Sequence, residues 1–216
     1  MTASLEMTKS DWTVADLLAH FGPIAHRRIR QEPAPGSATE QDVLDIQDHE
    51  KRLYELVEGV LVEKTMGVQE SYLAGFLVFL LGEFANRHDL GFILGADGMA
   101  RLAPGLVRIP DVSFVSWKQV PERRVPRVPM LGFAPDLAVE VLSPGNTAQE
   151  MDRKFHDYFA AGVRLLWYVD PVNRTVRVFT TVDQATVVRE DQDLTGDPVL
   201  PGFGLPLRDL FAQLEP

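Results

Sequence analysis

The stretch PDLAVEVLSPGNTAQEMDRKFHDYFAAGVRLLWYVD, residues 135–170, decides the fold of this chain. Its first part, DLAVEVL (136–142), is an apolar run of strand length. Thr147 and Glu150 then form a capping-box pattern, in which each side chain satisfies a free backbone donor of a first helical turn, and Gly162 sits where a helix stops. VRLLWYVD (163–170) is apolar throughout, as a strand buried on both faces is. Strand, helix and strand in this order imply a right-handed crossover between two parallel neighbours. One residue disturbs the pattern: Glu140 lies in the middle of the first strand. VRIPDVSFVSW (107–117), also strand-like, carries the same anomaly at Asp111. Burying a charge costs free energy unless something pairs with it, so the two acids need a reason.

Outward from this unit, TVADLLAHF (13–21) has apolar residues at helical spacing behind a capping Thr, and Gly22-Pro23 ends it. QEPAPGSATE (31–40) reads as a loop and EQDVLDIQDHEKR as a second helix, so this region is an appendage to the rest of the chain. LYELVEGVLVEK (53–64) is a hairpin turning at Glu58-Gly59. ESYLAGFLVFLLGEFANR, starting at Glu70, is apolar nearly all round and reads as a buried helix. GFILGADGMARL gives a strand, a Gly-Asp-Gly turn and a strand; the spacing does not make GADG a nucleotide cradle. ERRVPRVPMLGFAP is an exposed proline-rich connection, and TVRVFTT and ATVVRE add antiparallel strands after the PVNR turn. The sum is a mixed α/β sheet with a helix on each face.

Alternation along a strand shows where the acids point. Asp111 shares its face with Ile109, Ser113 and Val115, and Glu140 with Asp136, Ala138 and Leu142. Each acid is thus on the less bulky face of its strand. Two carboxylates on neighbouring strands repel unless a cation lies between them. Mg²⁺, which takes a few carboxylates plus water and phosphate oxygens, would resolve the conflict, with the backbone carbonyl of Val141 as a further ligand. Lys154 stands at the edge of the sheet-facing stripe Met151, Phe155, Tyr158, Phe159, where it either steadies a phosphate or snorkels. Taken singly, Asp111 is equally a bulge residue, Glu140 a partner for Arg108 or Arg164, and Glu58 a turn residue. His88 and His156 lack a metal-spaced partner, and Trp117, Trp167 and Tyr168 read as core.

IPD (109–111) followed by VEV (139–141) resembles the PD-(D/E)xK nuclease superfamily. Together with YELVEG, RIPDVSFV, PDLAVEVLSPGNT, RKFHDYFAAGV and WYVDP, the pattern is similar to the bacterial Uma-two family over roughly residues 53–211. The resemblance implies a restriction-endonuclease-like mixed β-sheet flanked by helices, preceded by an N-terminal helical extension (1–52) and including the β-hairpin in the main domain (53–216). It implies phosphodiester hydrolysis with Mg²⁺, for which Mn²⁺ can substitute, and makes Asp111 and Glu140 the metal-binding acids. The chain departs from the pattern at two places. The superfamily lysine belongs two residues after the glutamate, where this chain has Leu142, and Lys154 is the candidate for a relocated lysine. Relatives commonly have a His at the start of the buried helix, where this chain has Glu70. Glu70 and Glu55 are therefore candidate extra ligands.

The chain has 216 residues, 45% of them hydrophobic, enough for one substantial core. Without cysteine it has no thiolate nucleophile and no cysteine zinc site. A formal charge of −10 argues against a broad basic nucleic-acid surface, although HRRIRQ (26–31) and ERRVPR (122–127) are locally basic and would flank an approaching phosphate. No apolar run approaches the roughly 18 uninterrupted residues of a membrane span, and MTASLEMTKSDW lacks a signal pattern, so a cytoplasmic protein without membrane contact is expected. The leading expectation is a DNA endonuclease, as a homodimer suited to cutting two strands. A non-catalytic scaffold that keeps the fold, with its acids satisfied by Arg or Lys, is the alternative; a small-molecule phosphoesterase would share the metal logic.

Overall fold

The computed structural model describes residues 12–214; residues 1–11, on which the absence of a signal pattern rests, lie outside the described residues. In chain order the elements begin with helices α1 (Val14–Phe21) and α2 (Glu40–Glu50) and strands β1 (Tyr54–Val57) and β2 (Val60–Glu63). They continue with helix α3 (Val68–Arg87) and strands β3 (Gly91–Leu94), β4 (Ala100–Ala103), β5 (Leu106–Arg108), β6 (Val112–Ser116) and β7 (Leu137–Val141). Helix α4 (Ala148–Ala160), strands β8 (Leu165–Asp170), β9 (Thr175–Thr181) and β10 (Gln184–Arg189), the short pair β11 (Asp193–Thr195) and β12 (Gly204–Pro206), and helix α5 (Leu207–Phe211) complete it.

The large sheet has the order β10-β9-β8-β7-β6-β3. β7 and β8 are parallel, with Glu140 opposite Tyr168, and the other pairs are antiparallel. α4 makes the connection, as the opening stretch requires. A smaller antiparallel sheet, β2-β1-β5-β4, stands beside it. Its hairpin turns at Glu58 (φ 49°) and Gly59 (φ 76°), both in the left-handed region that a two-residue turn of this twist demands.

The run 107–117 is not one strand. β5 belongs to the small sheet and β6 to the large one, and Ile109-Pro110-Asp111 is the step between them. Pro110 has no N–H to continue a ladder. Pairing resumes at Asp111, whose N–H donates to the Val139 carbonyl at 2.9 Å. Asp111 therefore sits at the junction of two sheets rather than within a strand.

α3 covers one face of the large sheet, packing Leu73, Leu77 and Leu81 on Phe114, Val139 and Trp167. It is buried on that face alone: Tyr72 is 53% and Phe79 63% exposed, because no second layer lies over them. By length and composition α3 is the one helix among the described residues that could cross a membrane. The C-terminal segment, for which sequence periodicity gives no element, closes the same core with Leu200, Leu207, Leu210 and Phe211. α4 covers the opposite face, placing Met151 and Tyr158 on Ala138, Leu166 and Tyr168.

Capping boxes start α1 (Thr13 with Asp16) and α2 (Thr39 with Asp42). At α4 only half of the expected box exists: Thr147 accepts from the Glu150 N–H, but the Glu150 carboxylate is taken by Arg28, at 2.6 and 3.0 Å. A bidentate guanidinium outcompetes one backbone amide for a carboxylate.

Candidate functional site

The site forms where the two sheets meet, under the N-terminal end of α4. Alternation places Glu55 of β1 on the face it shares with Val62 of β2, and pairing of β1 with β5 brings it to Arg108. Arg108 Nη1 donates to Glu55 Oε2 at 2.8 Å, and the Ile109 N–H donates to Glu55 Oε1 at 3.1 Å. From the large sheet comes Glu140, whose neighbour Ala138 leaves space on that face. Asp111 at the junction accepts from the Val141 N–H at 2.7 Å, which fixes the loop to β7.

Lys154, on the sheet-facing side of α4, reaches both glutamates. Its Nζ lies 3.1 Å from each Glu140 oxygen and 3.0 Å from Glu55 Oε1. The Tyr158 hydroxyl, one turn on, donates to Glu140 at 2.5 Å. Lys64, just past β2, donates to Asp111 Oδ1 at 2.7 Å and to the Ile109 carbonyl.

These residues surround a cavity of about 20 Å³, enough for one water or a bare ion. It is lined by Glu55, Asp111, Glu140, Val141 and Lys154, together with Glu70 from the first turn of α3. The six residues expected to bind metal or act in catalysis, Glu55, Glu70, Asp111, Glu140, Val141 and Lys154, thus line one cavity. Arg28, Lys64 and Glu150 also line it, and the sequence reading missed all three, along with Tyr158. Continuing the alternation Val60, Val62, Lys64 toward Glu55 was the available signal for Lys64. Arg28 belongs to the basic stretch 26–31; the stretch 122–127 lines no part of the cavity, and its Arg123 pairs with Asp89. The suggested Arg partners of Glu140 are engaged elsewhere, Arg108 on Glu55 and Asp157, Arg164 on Asp136.

The electrostatics are unbalanced. Five carboxylates line the cavity against three cations, a formal surplus of two negative charges. Glu70 is 7% exposed and has no lysine or arginine partner among the described residues. A Cβ at Gly67 would strike its carboxylate, so that glycine keeps room for it. Burial pushes the Glu140 carboxyl up, Lys154 opposes this, and the nearby Asp111 and Glu55 add repulsion, leaving it raised. At Glu55 burial acts in the same sense, but Lys154 and Arg108 outweigh it and hold the carboxyl at about 2. Burial alone would lower Lys154; Glu140 and Glu55 reverse that and keep it charged.

Among the described residues no three His, Asp or Glu side chains already form a metal-holding group. Mg²⁺ does not need one, since it binds through one or two carboxylates and fills its shell with water and phosphate oxygens. The donors here are hard oxygens, and the charge surplus equals that of a divalent cation. The residues fit such an ion. They also show what the scaffold alternative expects, because each of Asp111 and Glu140 has a lysine partner.

The family model Uma2, described as "Putative restriction endonuclease", matches residues 40–208. No curated protein matches. Among solved structures, the chain is similar to the crystal structure of "a putative nuclease belonging to DUF820" from Anabaena variabilis ATCC 29413, with a TM-score of 0.68 at 20% identity, covering 76% of this chain and 92% of that one. At that identity the likeness establishes the fold.

Proposed function

The chain belongs to the Uma2 family of restriction-endonuclease-like proteins, and from that premise we propose that it is a divalent-metal-dependent endonuclease hydrolysing DNA phosphodiester bonds. The observation that carries this reading is Glu70, a residue 7% exposed and without a basic partner among the described residues, whose side chain lines the same cavity as Asp111 and Glu140, where the lining carries two surplus negative charges. A purely structural cluster gains nothing from that surplus.

Asp111 and Glu140 would hold Mg²⁺ or Mn²⁺, with the Val141 carbonyl and Glu70 as further ligands. Glu55 is less suited, because Arg108, Lys154 and the Ile109 N–H already occupy it. When bound, such an ion lowers the pKa of a coordinated water and neutralises charge developing on the phosphate. Lys154 stays protonated between its two glutamates and donates to the phosphate under attack. Tyr158 and Lys64 fix the orientation of Glu140 and Asp111. The expectations of a cytoplasmic enzyme and of a two-fold dimer rest on the sequence and on the geometry of a two-stranded substrate.

One observation favours a second reading, a non-catalytic scaffold: the lysine paired with each central acid. Incubation of supercoiled plasmid, single-stranded DNA and a generic aryl phosphodiester with Mg²⁺ or Mn²⁺ separates the readings. Cleavage of DNA by the wild type that disappears in Asp111→Asn and in Lys154→Met supports the nuclease. Cleavage of the aryl diester alone points to a small-molecule phosphoesterase. No cleavage of either substrate, from protein whose folding is verified by circular dichroism, supports the scaffold.

A further inference from the structure

The small cavity shares Ser143 and Asn146 with a pocket of about 620 Å³ between the start of α4 and strands β8 and β9. That pocket shares Val172 and Asn173 with a third, open one of about 590 Å³ beyond the β8–β9 turn. The three follow one another across the molecule, with Arg28 of the basic stretch 26–31 at the small-cavity end and no residue of 122–127 in any of them. We propose that they form the track of a nucleic-acid single strand, and that the middle pocket receives the nucleotide flanking the scissile phosphate. This deepens the nuclease reading and rests on it for the position of the cut.

The middle pocket has the volume and chemistry for one nucleotide. Its apolar wall is Phe155, Tyr168 and Phe179, packed edge to face with ring centroids 5.0 and 5.4 Å apart. Of the three rings, half-buried Phe155 and Phe179 take any base by stacking, worth roughly 1–3 kcal/mol per base, and Tyr168, 2% exposed, backs them. Over two of them lies Arg177, its guanidinium 5.4 Å from the Tyr168 ring and 5.9 Å from the Phe179 ring. Arg177 is exposed and has no carboxylate partner among the described residues. A guanidinium held over aromatic rings with its N–H groups uncommitted is prepared for a phosphate.

The acids of the pocket do not oppose this. Asp170 is used within its own turn, accepting from the N–H groups of Val172 and Asn173 and from Asn173 Nδ2. Asp152, exposed and with His156 Nε2 3.8 Å from its Oδ2, can accept from the N–H groups of a base. Leu142, where the superfamily has its lysine, lines this pocket and not the small cavity. Further along, Arg189 and Arg208 line the third opening, where they would follow the backbone of the strand.

The test uses the full chain in EDTA, so that nothing is cut, and measures binding of a fluorescein-labelled ten-nucleotide thymidine strand, of thymidine monophosphate and of inorganic phosphate. The strand and the monophosphate are expected to bind, and inorganic phosphate much more weakly. Arg177→Ala and Phe179→Leu should each weaken the strand by about tenfold, and Arg177→Gln provides a second exposed-site variant should alanine perturb folding. With Mg²⁺, Arg177→Ala should raise KM for a single strand by a similar factor at little cost in kcat. If the wild type cuts DNA but none of these variants alters binding or KM, the track is wrong and the nuclease reading survives. If Arg177-dependent binding is found without cleavage under either metal, the track stands and the nuclease reading falls. Absence of binding, or equal binding of inorganic phosphate, overturns the track.

Discussion

The Lys154 ammonium stands 3.1 Å from both carboxylate oxygens of Glu140 and is buried with it. Because the same nitrogen also reaches Glu55 at 3.0 Å, one side chain on α4 joins the central strand of the large sheet to the hairpin of the small one. The site is thus a structural joint as well as a charged cavity.

Removing one partner of a buried ion pair leaves the other charge uncompensated. Lys154→Met should lower the unfolding free energy by about 3–5 kcal/mol, read from urea denaturation. Adding Glu140→Gln should return part of that loss, since one of the two stranded charges is gone. DNA cleavage should be absent from both variants. Recovery of activity along with stability would show that the lysine serves only the joint.

Leu142 occupies the superfamily's lysine position, yet its side chain lines the larger pocket. A lysine placed there would extend away from the small cavity. The double variant Lys154→Met with Leu142→Lys should therefore remain inactive in plasmid cleavage. Restoration of cutting would mean that position 142 can serve the cavity after all.

The stretch 135–170 was legible because local signals agree in it: an apolar strand, a capping Thr, an amphipathic helix, a stop glycine and a second apolar strand. The junction at Asp111 was hidden, since VRIPDVSFVSW alternates as one strand and nothing local says that Pro110 passes the chain between sheets. Charge partners were harder still. Arg28 reaches the cavity only through the packing of the N-terminal segment, which no periodicity records, and for Lys64 the alternation gives the face it shares with Glu55 but not the meeting of two sheets that brings it to Asp111. The exposed face of α3 has the same origin: composition gives its apolarity, and tertiary structure decides how much of it is covered.

A cavity with surplus negative charge should be stabilised by the ion it suits. Mg²⁺ or Mn²⁺ at about a hundred times its dissociation constant should add about 2.7 kcal/mol to the unfolding free energy, seen as a rise in Tm that EDTA reverses. Asp111→Asn and Glu70→Gln should each shrink the rise. A Tm indifferent to both metals would favour lysine-satisfied acids and the scaffold.

Arg28 and Glu150 form a buried bidentate pair between the N-terminal segment and the first turn of α4, and Arg28 lies outside the residues matched by the family model. Arg28→Ala should cost about 3–5 kcal/mol, and Arg28→Ala with Glu150→Ala less than the single change. Thermal unfolding of the four proteins of the cycle measures the coupling. Additive losses would show that the pair does not hold the segment to the helix.

Asp136, at the entry to β7, offers a pH test away from the cavity. Burial by itself would raise its carboxyl; the hydrogen bonds from Gln119 at 2.9 Å, the Ser116 N–H at 2.7 Å and Arg164 at 2.6 Å outweigh this and leave it lowered. A group whose folded pKa is depressed adds stability above its unfolded value, about 3.9, and loses that contribution as pH falls through the lower folded value. The wild type should therefore be more stable than Asp136→Asn from neutral pH down to about pH 4, and the difference should narrow below it. Urea midpoints of the two proteins between about pH 7 and about pH 2.5 would show this. A constant gap over the whole range would mean that Asp136 acts through its shape and hydrogen bonds and not through its charge.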